Sequence, residues 1–198
     1  MTLADKITMV RIVLAPIFFA VYLLPVPALW QAAALWAVFA VSELSDMLDG
    51  QAARRLKQGS DFGKLFDPFA DTFTQITFLL CFVIEGIFPV WLFLVVLYRE
   101  YAVLFVRNLM LRKGVTMGAR MAGKVKTVAY IAAEAAALAA VSLTRLGSAG
   151  YLAFDTAKAG SALRIAARVT FCVSVALSVY SFAEYLVTYL KAPPRENC

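Results

Sequence analysis

The segment from Asp46 to Asp71 reads DMLDGQAARRLKQGSDFGKLFDPFAD and lies between two apolar runs. Asp46 and Asp49 are three residues apart, and Asp67 and Asp71 are four residues apart. On helices, each spacing places its pair on one face. Because the apolar run before the segment ends where the first pair begins, and the next run begins at the second pair, both pairs are expected at the same membrane face.

The composition excludes an ordinary soluble domain. Of the 198 residues, 62% are hydrophobic and 16% charged, and the mean hydropathy is +0.77. Soluble domains have about 45–50% apolar and about 25% charged residues, and disorder requires low hydrophobicity. With 10 Gly and 3 Cys, collagen and disulfide scaffolds are excluded as well. The sequence predicts one integral membrane domain over residues 1–198.

Six apolar stretches approach the length of about 20 residues that a helix needs to cross a bilayer. They run over Thr8–Leu24, Pro27–Leu44, Pro68–Gly86, Pro89–Leu111, Val125–Leu146 and Ala166–Leu190. Their apolar residues are continuous rather than alternating, which favours helices over a barrel. We therefore expect an all-α bundle of about six transmembrane helices.

The basic residues predict the orientation of this bundle. Of the 19 Lys and Arg residues, only Arg145, Lys158, Arg164 and Arg168 fall on the side opposite the aspartates, which leaves 15 on the aspartate side. The positive-inside rule then places the aspartates at the cytoplasmic face of a bacterial-type cytoplasmic membrane. The net charge of +6 suits anionic lipid head groups or phosphorylated substrates. Nucleic acid is not an expected partner, because no soluble basic domain is present.

The available side chains restrict the chemistry. The chain has no His, so mechanisms that use a Ser-His or Cys-His pair, or a His-bound metal, are excluded. Four neighbouring carboxylates would repel one another unless cations lay between them. Hard oxygen ligands without His or Cys indicate Mg²⁺, Mn²⁺ or Ca²⁺.

Helix capping is the alternative interpretation of these aspartates. Asp67 before Pro68 resembles a helix N-cap. Asp46 and Asp49, however, end an apolar helix, where the helix dipole disfavours anions. Capping therefore does not account for all four carboxylates.

The residues between the two pairs are compatible with a bulky ligand. Gly50 and Gly63 would allow close approach of the backbone, and Arg54 could bind a diphosphate oxygen. Each of these residues alone would be read as a turn residue or a solvated loop charge. Their spacing relative to the aspartates favours the ligand-binding interpretation.

The pattern D-x2-D-G-x2-A-R-x8-G-x3-D-x3-D is similar to the signature of the CDP-alcohol phosphotransferases, and residues 46–71 match it at every fixed position. The resemblance implies six membrane helices and a cytoplasmic site. It also implies that an alcohol hydroxyl displaces CMP from a CDP-linked donor, usually CDP-diacylglycerol. A two-metal site for Mg²⁺ or Mn²⁺ and a homodimer are implied as well.

The resemblance also assigns roles to the residues of the motif. The metal-binding carboxylates would be Asp46, Asp49, Asp67 and Asp71. Asp71 would in addition be the catalytic base that takes the proton of the acceptor hydroxyl. The CDP moiety would be held by Gly50, Ala53, Arg54 and Gly63.

A second segment bears on the acceptor. Arg99-Glu100, Arg107 and the run Gly123-Lys124-Val125-Lys126-Thr127 resemble the phosphatidylglycerophosphate synthases of this family, as does the opening Ile7-Thr8-Met9-Val10-Arg11. Two positions depart from that group: Ala4-Asp5 stands for its usual Pro-Asn, and Thr72 for the Lys that often follows the last aspartate.

The cations of this segment predict a phosphate on the acceptor, which we expect to be glycerol 3-phosphate. The predicted phosphate ligands are Arg107, Lys124, Lys126 and Arg120. A cation within an apolar helix is costly without a partner, which favours a binding role for Arg107. Topological anchoring is the alternative for these cations, and Arg99 can instead pair with Glu100 or a motif aspartate.

Other functions remain open at this point. The acceptor can be inositol phosphate, choline or serine within the same family. A small transporter would use Glu134 and Glu184, each inside an apolar run, but the chain shows no internal repeat and its aspartates cluster at one face. A scaffold would leave the four carboxylates without a purpose. Residues 147–164 are rich in Gly and Ala, and the sequence assigns them no function.

Overall fold

The computed structural model describes residues 3–56, 61–112, 121–153 and 156–191, with side-chain surroundings for residues 8–46, 66–110, 125–153 and 156–190. These residues form six helices and no strand. The helices are α1 (Leu3–Leu23), α2 (Ala28–Leu56), α3 (Asp61–Ile84), α4 (Val90–Arg112), α5 (Met121–Ser148) and α6 (Thr156–Lys191). The predicted all-α architecture is confirmed.

Four of the six helices are long and apolar enough to cross a bilayer. These stretches are Ala28–Asp46, Phe66–Ile84, Val125–Ser148 and Thr156–Leu190, and Thr8–Leu23 is a shorter apolar helix. In α4 the apolar run is interrupted by Arg99, Glu100 and Arg107. Every helix exposes large apolar side chains, as lipid contact requires; examples, one from each helix in order, are Val13, Val41, Phe69, Phe105, Val128 and Ile165. The protein is therefore a multi-pass membrane protein.

Aromatic side chains fill the core of the bundle. Phe78 on α3 packs against Phe18 on α1 and Phe39 on α2, with ring centroids 4.3 and 5.7 Å apart. Phe88, just before α4, stacks on Phe171 of α6 at 4.2 Å. The helix α1 lies between α2 and α3, and α5 packs along α6 and also contacts α2 and α3. This arrangement brings the first turns of α1, α3 and α5 to the end of the bundle where α2, α4 and α6 finish.

At the opposite end of the bundle, the carboxylate of Glu85 binds side chains of three helices, α1, α5 and α6. Its carboxylate accepts hydrogen bonds from Tyr22 at 3.1 Å, Arg145 at 3.0 Å and Arg164 at 3.4 Å. Arg168 donates to the carbonyl of Ile87 at 2.9 Å. Three of the four basic residues predicted for this side therefore gather around the end of α3.

Glycine is required at two points of this end. Gly86 terminates α3 with φ +72°, a left-handed conformation that glycine adopts without strain. At Gly147 a Cβ atom would collide with the side chain of Thr156, so a larger residue here would displace the start of α6 or the Thr156 side chain. The Gly-rich stretch 147–164 thus includes a helix contact, and α6 begins at Thr156, ten residues before the predicted Ala166.

The helices around the aspartate motif are longer than predicted. The helix α2 continues past Leu44 to Leu56, and α3 begins at Asp61, ahead of Pro68. The predicted second loop is therefore mostly helical, since Asp46, Asp49 and Arg54 lie on α2. Asp67 lies inside α3 and is not its N-cap, so the capping interpretation of this residue is wrong. Helix-forming Ala, Arg and Leu residues extend α2, although the Asp, Gln and Arg residues in this part lower its apolar character.

Candidate active site

Three helices, α1, α2 and α3, bring two of the motif carboxylates together around one arginine. Arg11 of α1 is buried, with 3% of its side chain exposed, and its Nη1 atom lies 2.5 Å from Oδ1 of Asp46 and 2.5 Å from Oδ1 of Asp71. The carboxylates of Asp46 and Asp71 are about half exposed, at 44% and 52%. One turn before Asp71, Asp67 accepts a hydrogen bond from Oγ1 of Thr8 at 2.9 Å. Thr8 and Arg11 share one face of α1 because they are three residues apart.

The sequence predicted that cations lie between the carboxylates, but it did not identify Arg11 as one of them. Arg11 was counted only among the basic residues of this side and within the similar opening segment. A cation near the start of an apolar helix is ambiguous, because it is also typical of a topological anchor. The buried position and the two ion pairs show that Arg11 belongs to the site.

A cavity of about 280 Å³ opens beside this cluster. Its wall includes carboxylates, cations and hydroxyl groups of all six described helices, among them Arg11, Glu43, Asp46, Asp71, Arg99, Glu100, Arg107, Lys126, Glu134 and Ser181. The volume suits a small polar molecule rather than an acyl chain. This cavity is therefore lined by both Asp71, the predicted base, and Arg107, a predicted phosphate ligand.

Glu100 binds two of the cations in this cavity. Its Oε1 atom accepts hydrogen bonds from Arg99 Nη1 at 2.8 Å and from Lys126 Nζ at 2.7 Å. Arg99 also donates to the carbonyl of Ser178 at 3.0 Å, which ties α4 to α6. All three charged side chains are at most 10% exposed. The expected pairing of Arg99 with Glu100 is thus present, and the structure adds Lys126 to it.

The four predicted phosphate ligands differ in whether the structure describes their side chains and in whether those side chains are already paired. Lys126 lines the cavity with its ammonium group bound to Glu100, so its charge is already compensated. Arg107 is half-buried and lines the same cavity. Arg120 lies outside the described residues, as does the side chain of Lys124 on α5. The structure therefore favours Arg107 as the cation that faces a ligand.

For the motif residues that would bind the CDP moiety, the structure describes the backbone but not the side-chain surroundings. Gly50, Ala53 and Arg54 are in the last turns of α2, and Gly63 is in the first turn of α3. Their side-chain surroundings lie outside the described part of the chain, as does the carboxylate of Asp49.

The donor chemistry of the site fits a hard divalent cation. Asp46, Asp67 and Asp71 supply carboxylate oxygens, with no His or Cys side chain among them, and Asp49 lies about one helical turn beyond Asp46. Among the side chains that the structure describes, no three carboxylates are close enough to hold a metal ion together. The guanidinium of Arg11 lies between Asp46 and Asp71 and supplies the positive charge there.

Two buried polar residues of the cavity wall lie outside the motif in the sequence. Glu134 on α5, only 2% exposed, and Ser181 on α6, fully buried, both line the wall. Within the described residues, Oε1 of Glu134 and Oγ of Ser181 have no hydrogen-bond partner. Glu134 was one of the two residues that a transporter would use, with Glu184, and it lines the cavity beside the motif aspartates.

Comparison with known families gives a match over nearly the whole chain. Residues 1–190 match the family described as CDP-alcohol phosphatidyltransferase. The match therefore includes all six helices except the last residue of α6, and it contains every described residue that lines the cavity.

Comparison with characterised proteins gives relatives with related names. The chain is 35% identical to the CDP-diacylglycerol–glycerol-3-phosphate 3-phosphatidyltransferase of Treponema pallidum (strain Nichols), over 96% of this chain and 89% of the relative. It is 34% identical to the Bacillus subtilis (strain 168) protein of the same name, over 69% of this chain and 76% of the relative. A CMP-forming cardiolipin synthase of Streptomyces coelicolor is 36% identical over 58% of this chain and 54% of the relative.

Proposed function

The chain belongs to the CDP-alcohol phosphatidyltransferase family, as an enzyme of phospholipid biosynthesis, and from this we propose that it transfers the phosphatidyl group of CDP-diacylglycerol to glycerol 3-phosphate. The products would be CMP and phosphatidylglycerophosphate. Two relatives that carry this activity in their names are 34–35% identical to the chain.

The observation that carries the proposal is the shared cavity. Asp71 and Arg107, from α3 and α4, line one space that is large enough for a small phosphorylated alcohol. A carboxylate can take a proton from a hydroxyl, and a guanidinium can bind a phosphate with two donors. An acceptor with a hydroxyl at one end and a phosphate at the other satisfies both groups.

The reaction is a direct displacement. The acceptor hydroxyl oxygen forms a bond to the phosphorus that carries the diacylglycerol, and the bond from this phosphorus to the bridging oxygen of the diphosphate breaks. CMP leaves with the bridging oxygen, and the hydroxyl proton passes to the carboxylate of Asp71. Asp71 is placed for this step, since its side chain is half exposed, lines the cavity and is held in position by Arg11.

Asp46, Asp49, Asp67 and Asp71 would hold the metal ions of the site, Mg²⁺ or Mn²⁺. Such ions would offset negative charge on the diphosphate and on the departing CMP. Gly50, Ala53, Arg54 and Gly63 would hold the CDP moiety, which places the nucleotide where α2 ends and α3 begins.

The remaining expectations are also part of the proposal. The basic residues on the aspartate side support a cytoplasmic position of the site, in contact with anionic lipid head groups. The single domain over residues 1–198 is supported by the one family match. The homodimer implied by the family resemblance stays a prediction, which the mass of the purified protein in detergent would test.

A panel of acceptors tests the proposed reaction. Purified protein with CDP-diacylglycerol should release CMP with glycerol 3-phosphate, and much more slowly with glycerol, serine, choline or inositol phosphate. Phosphatidylglycerol belongs in the panel, because the Streptomyces coelicolor relative is a cardiolipin synthase. A preference for phosphatidylglycerol or for an unphosphorylated alcohol would replace the proposed acceptor and leave the family assignment intact.

A further inference from the structure

Glu134 is a buried carboxyl group without a cationic partner among the described residues. It lies in the membrane-spanning part of α5, lines the cavity, and is 2% exposed. The charged group that acts on it is a second carboxyl, Glu43 of α2, which lines the same cavity. No described side chain donates a hydrogen bond to its Oε1 atom. Buried polar atoms of this kind are normally satisfied, so an unpaired one in a cavity wall requires a partner there, either water or a ligand.

Ser181 presents a second unpaired group to the same cavity. A serine inside a helix commonly donates to the carbonyl four residues earlier, as Ser174 of α6 does to Thr170 at 2.7 Å. Ser181 is fully buried on the same helix, yet in the described structure its Oγ atom has no partner. Ser181 lines the cavity, so its hydroxyl group lacks a partner at the cavity wall.

We propose that Glu134 and Ser181 form a subsite for a hydroxyl group of the acceptor, one that does not react. The carboxyl of Glu134 would accept a hydrogen bond from this hydroxyl, whose oxygen would accept one from Ser181. A phosphate is not suited to this place, because Glu134 has no cationic partner among the described residues. The cations Arg99, Arg107 and Lys126 line the same cavity, and two of them, Arg99 and Lys126, are already bound by Glu100.

This inference rests on the proposed function, because glycerol 3-phosphate has the groups that the cavity requires. One hydroxyl reacts beside Asp71, the phosphate lies beside Arg107, and the remaining hydroxyl reaches the subsite. A site built to hydrogen-bond a substrate hydroxyl rejects analogues that lack it, because its buried polar groups are then left unpaired. Glu134 and Ser181 would therefore determine specificity for a polyol phosphate.

The test compares two acceptors on the full-length purified enzyme. 3-Hydroxypropyl phosphate has the phosphate and the primary hydroxyl of glycerol 3-phosphate and lacks the middle hydroxyl. The wild-type enzyme should prefer glycerol 3-phosphate by roughly tenfold or more in kcat/KM, the usual effect of one hydrogen bond to a charged or buried group. Glu134→Leu and Ser181→Ala should reduce this preference to within about twofold, while the KM for CDP-diacylglycerol stays unchanged.

Two controls separate binding from folding. Glu134→Gln has a similar size and can still accept a hydrogen bond, so it should retain most of the preference. Glu184→Leu removes a carboxyl of α6 that does not line the cavity, and it should leave the preference at the wild-type value. The ratio of the two acceptors does not depend on how much of a variant is folded.

The outcomes distinguish this inference from the proposed function. Glycerol 3-phosphate turnover with an unchanged preference in Glu134→Leu and Ser181→Ala would overturn the subsite alone, and so would equal wild-type use of both acceptors. An equal loss of activity toward both acceptors would show that the two residues are only structural or bind water. An absence of CMP release with either acceptor would overturn the proposed function and the inference together.

Discussion

The Nη1 atom of Arg11 lies 2.5 Å from Oδ1 of Asp71, and the same atom contacts Asp46 at 2.5 Å. One guanidinium therefore joins α1, α2 and α3 at the point where the proposed base is located. Arg11 is buried while both carboxylates remain about half exposed to the cavity. Its role is to position the carboxylates and to reduce the repulsion between them.

Replacing Arg11 should impair the reaction by misplacing these carboxylates. We expect Arg11→Ala to lower kcat/KM by about tenfold or more, since hydrogen bonds to charged groups contribute about 1.5–3 kcal/mol. Arg11→Lys keeps the charge and should recover part of the activity. Lys158→Ala removes an exposed cation of α6 and is the control, with wild-type rates of CMP release expected. Wild-type kcat/KM in Arg11→Ala would contradict the positioning role.

Removing divalent cations should abolish turnover. The motif supplies four carboxylates and no softer ligand, and Arg11 compensates only part of their charge. We expect EDTA to stop CMP release, and Mg²⁺ or Mn²⁺ to restore it. Full activity in a rigorously metal-free preparation would rule out the two-metal proposal while leaving the family assignment in place.

Asp71→Asn tests the assignment of the base. The change keeps the size of the side chain and removes its ability to accept a proton, so kcat should fall by about 10²–10⁴-fold. Binding of CDP-diacylglycerol, measured directly, should change much less. Glu184→Gln is the matched control, because this carboxyl lies outside the cavity. If Asp71→Asn kept kcat within a few-fold of wild type, the base would have to be another group.

The sequence predicted the helical class and the clustering of the aspartates, because long apolar runs and the spacing of carboxylates are local signals. It did not predict that Arg11 reaches Asp46 and Asp71, or that Glu100 holds both Arg99 and Lys126. The contacts of Arg11 with both aspartates and of Glu100 with Lys126 join different helices, and only packing decides which charges meet. The length of α2 was underestimated for a different reason: hydropathy marks where a helix leaves the apolar layer, whereas helix propensity decides where it ends.

Glu85 should contribute to stability and not to the reaction. Its carboxylate links Tyr22, Arg145 and Arg164 at the end of the bundle opposite the cavity. We expect Glu85→Gln to lower the free energy of unfolding by about 1–3 kcal/mol, because charged hydrogen bonds are lost in a partly buried network. Thermal unfolding in detergent measures this change. The kcat/KM of the folded fraction should equal that of wild type, and a changed acceptor KM would show that this end is coupled to the site.

Replacement of Arg107 tests whether the enzyme recognises a phosphate group on its acceptor. It lines the cavity with Asp71, whereas the ammonium group of Lys126 is bound by Glu100. Loss of a charge-assisted hydrogen bond costs about 1.5–3 kcal/mol, so Arg107→Ala should raise the KM for glycerol 3-phosphate by roughly tenfold or more. The KM for CDP-diacylglycerol should change less, and Lys158→Ala should change neither. An unchanged acceptor KM in Arg107→Ala would favour a topological anchor at this position. Equal turnover of glycerol and glycerol 3-phosphate by the wild-type enzyme would be the stronger objection, because it would show that no phosphate is recognised.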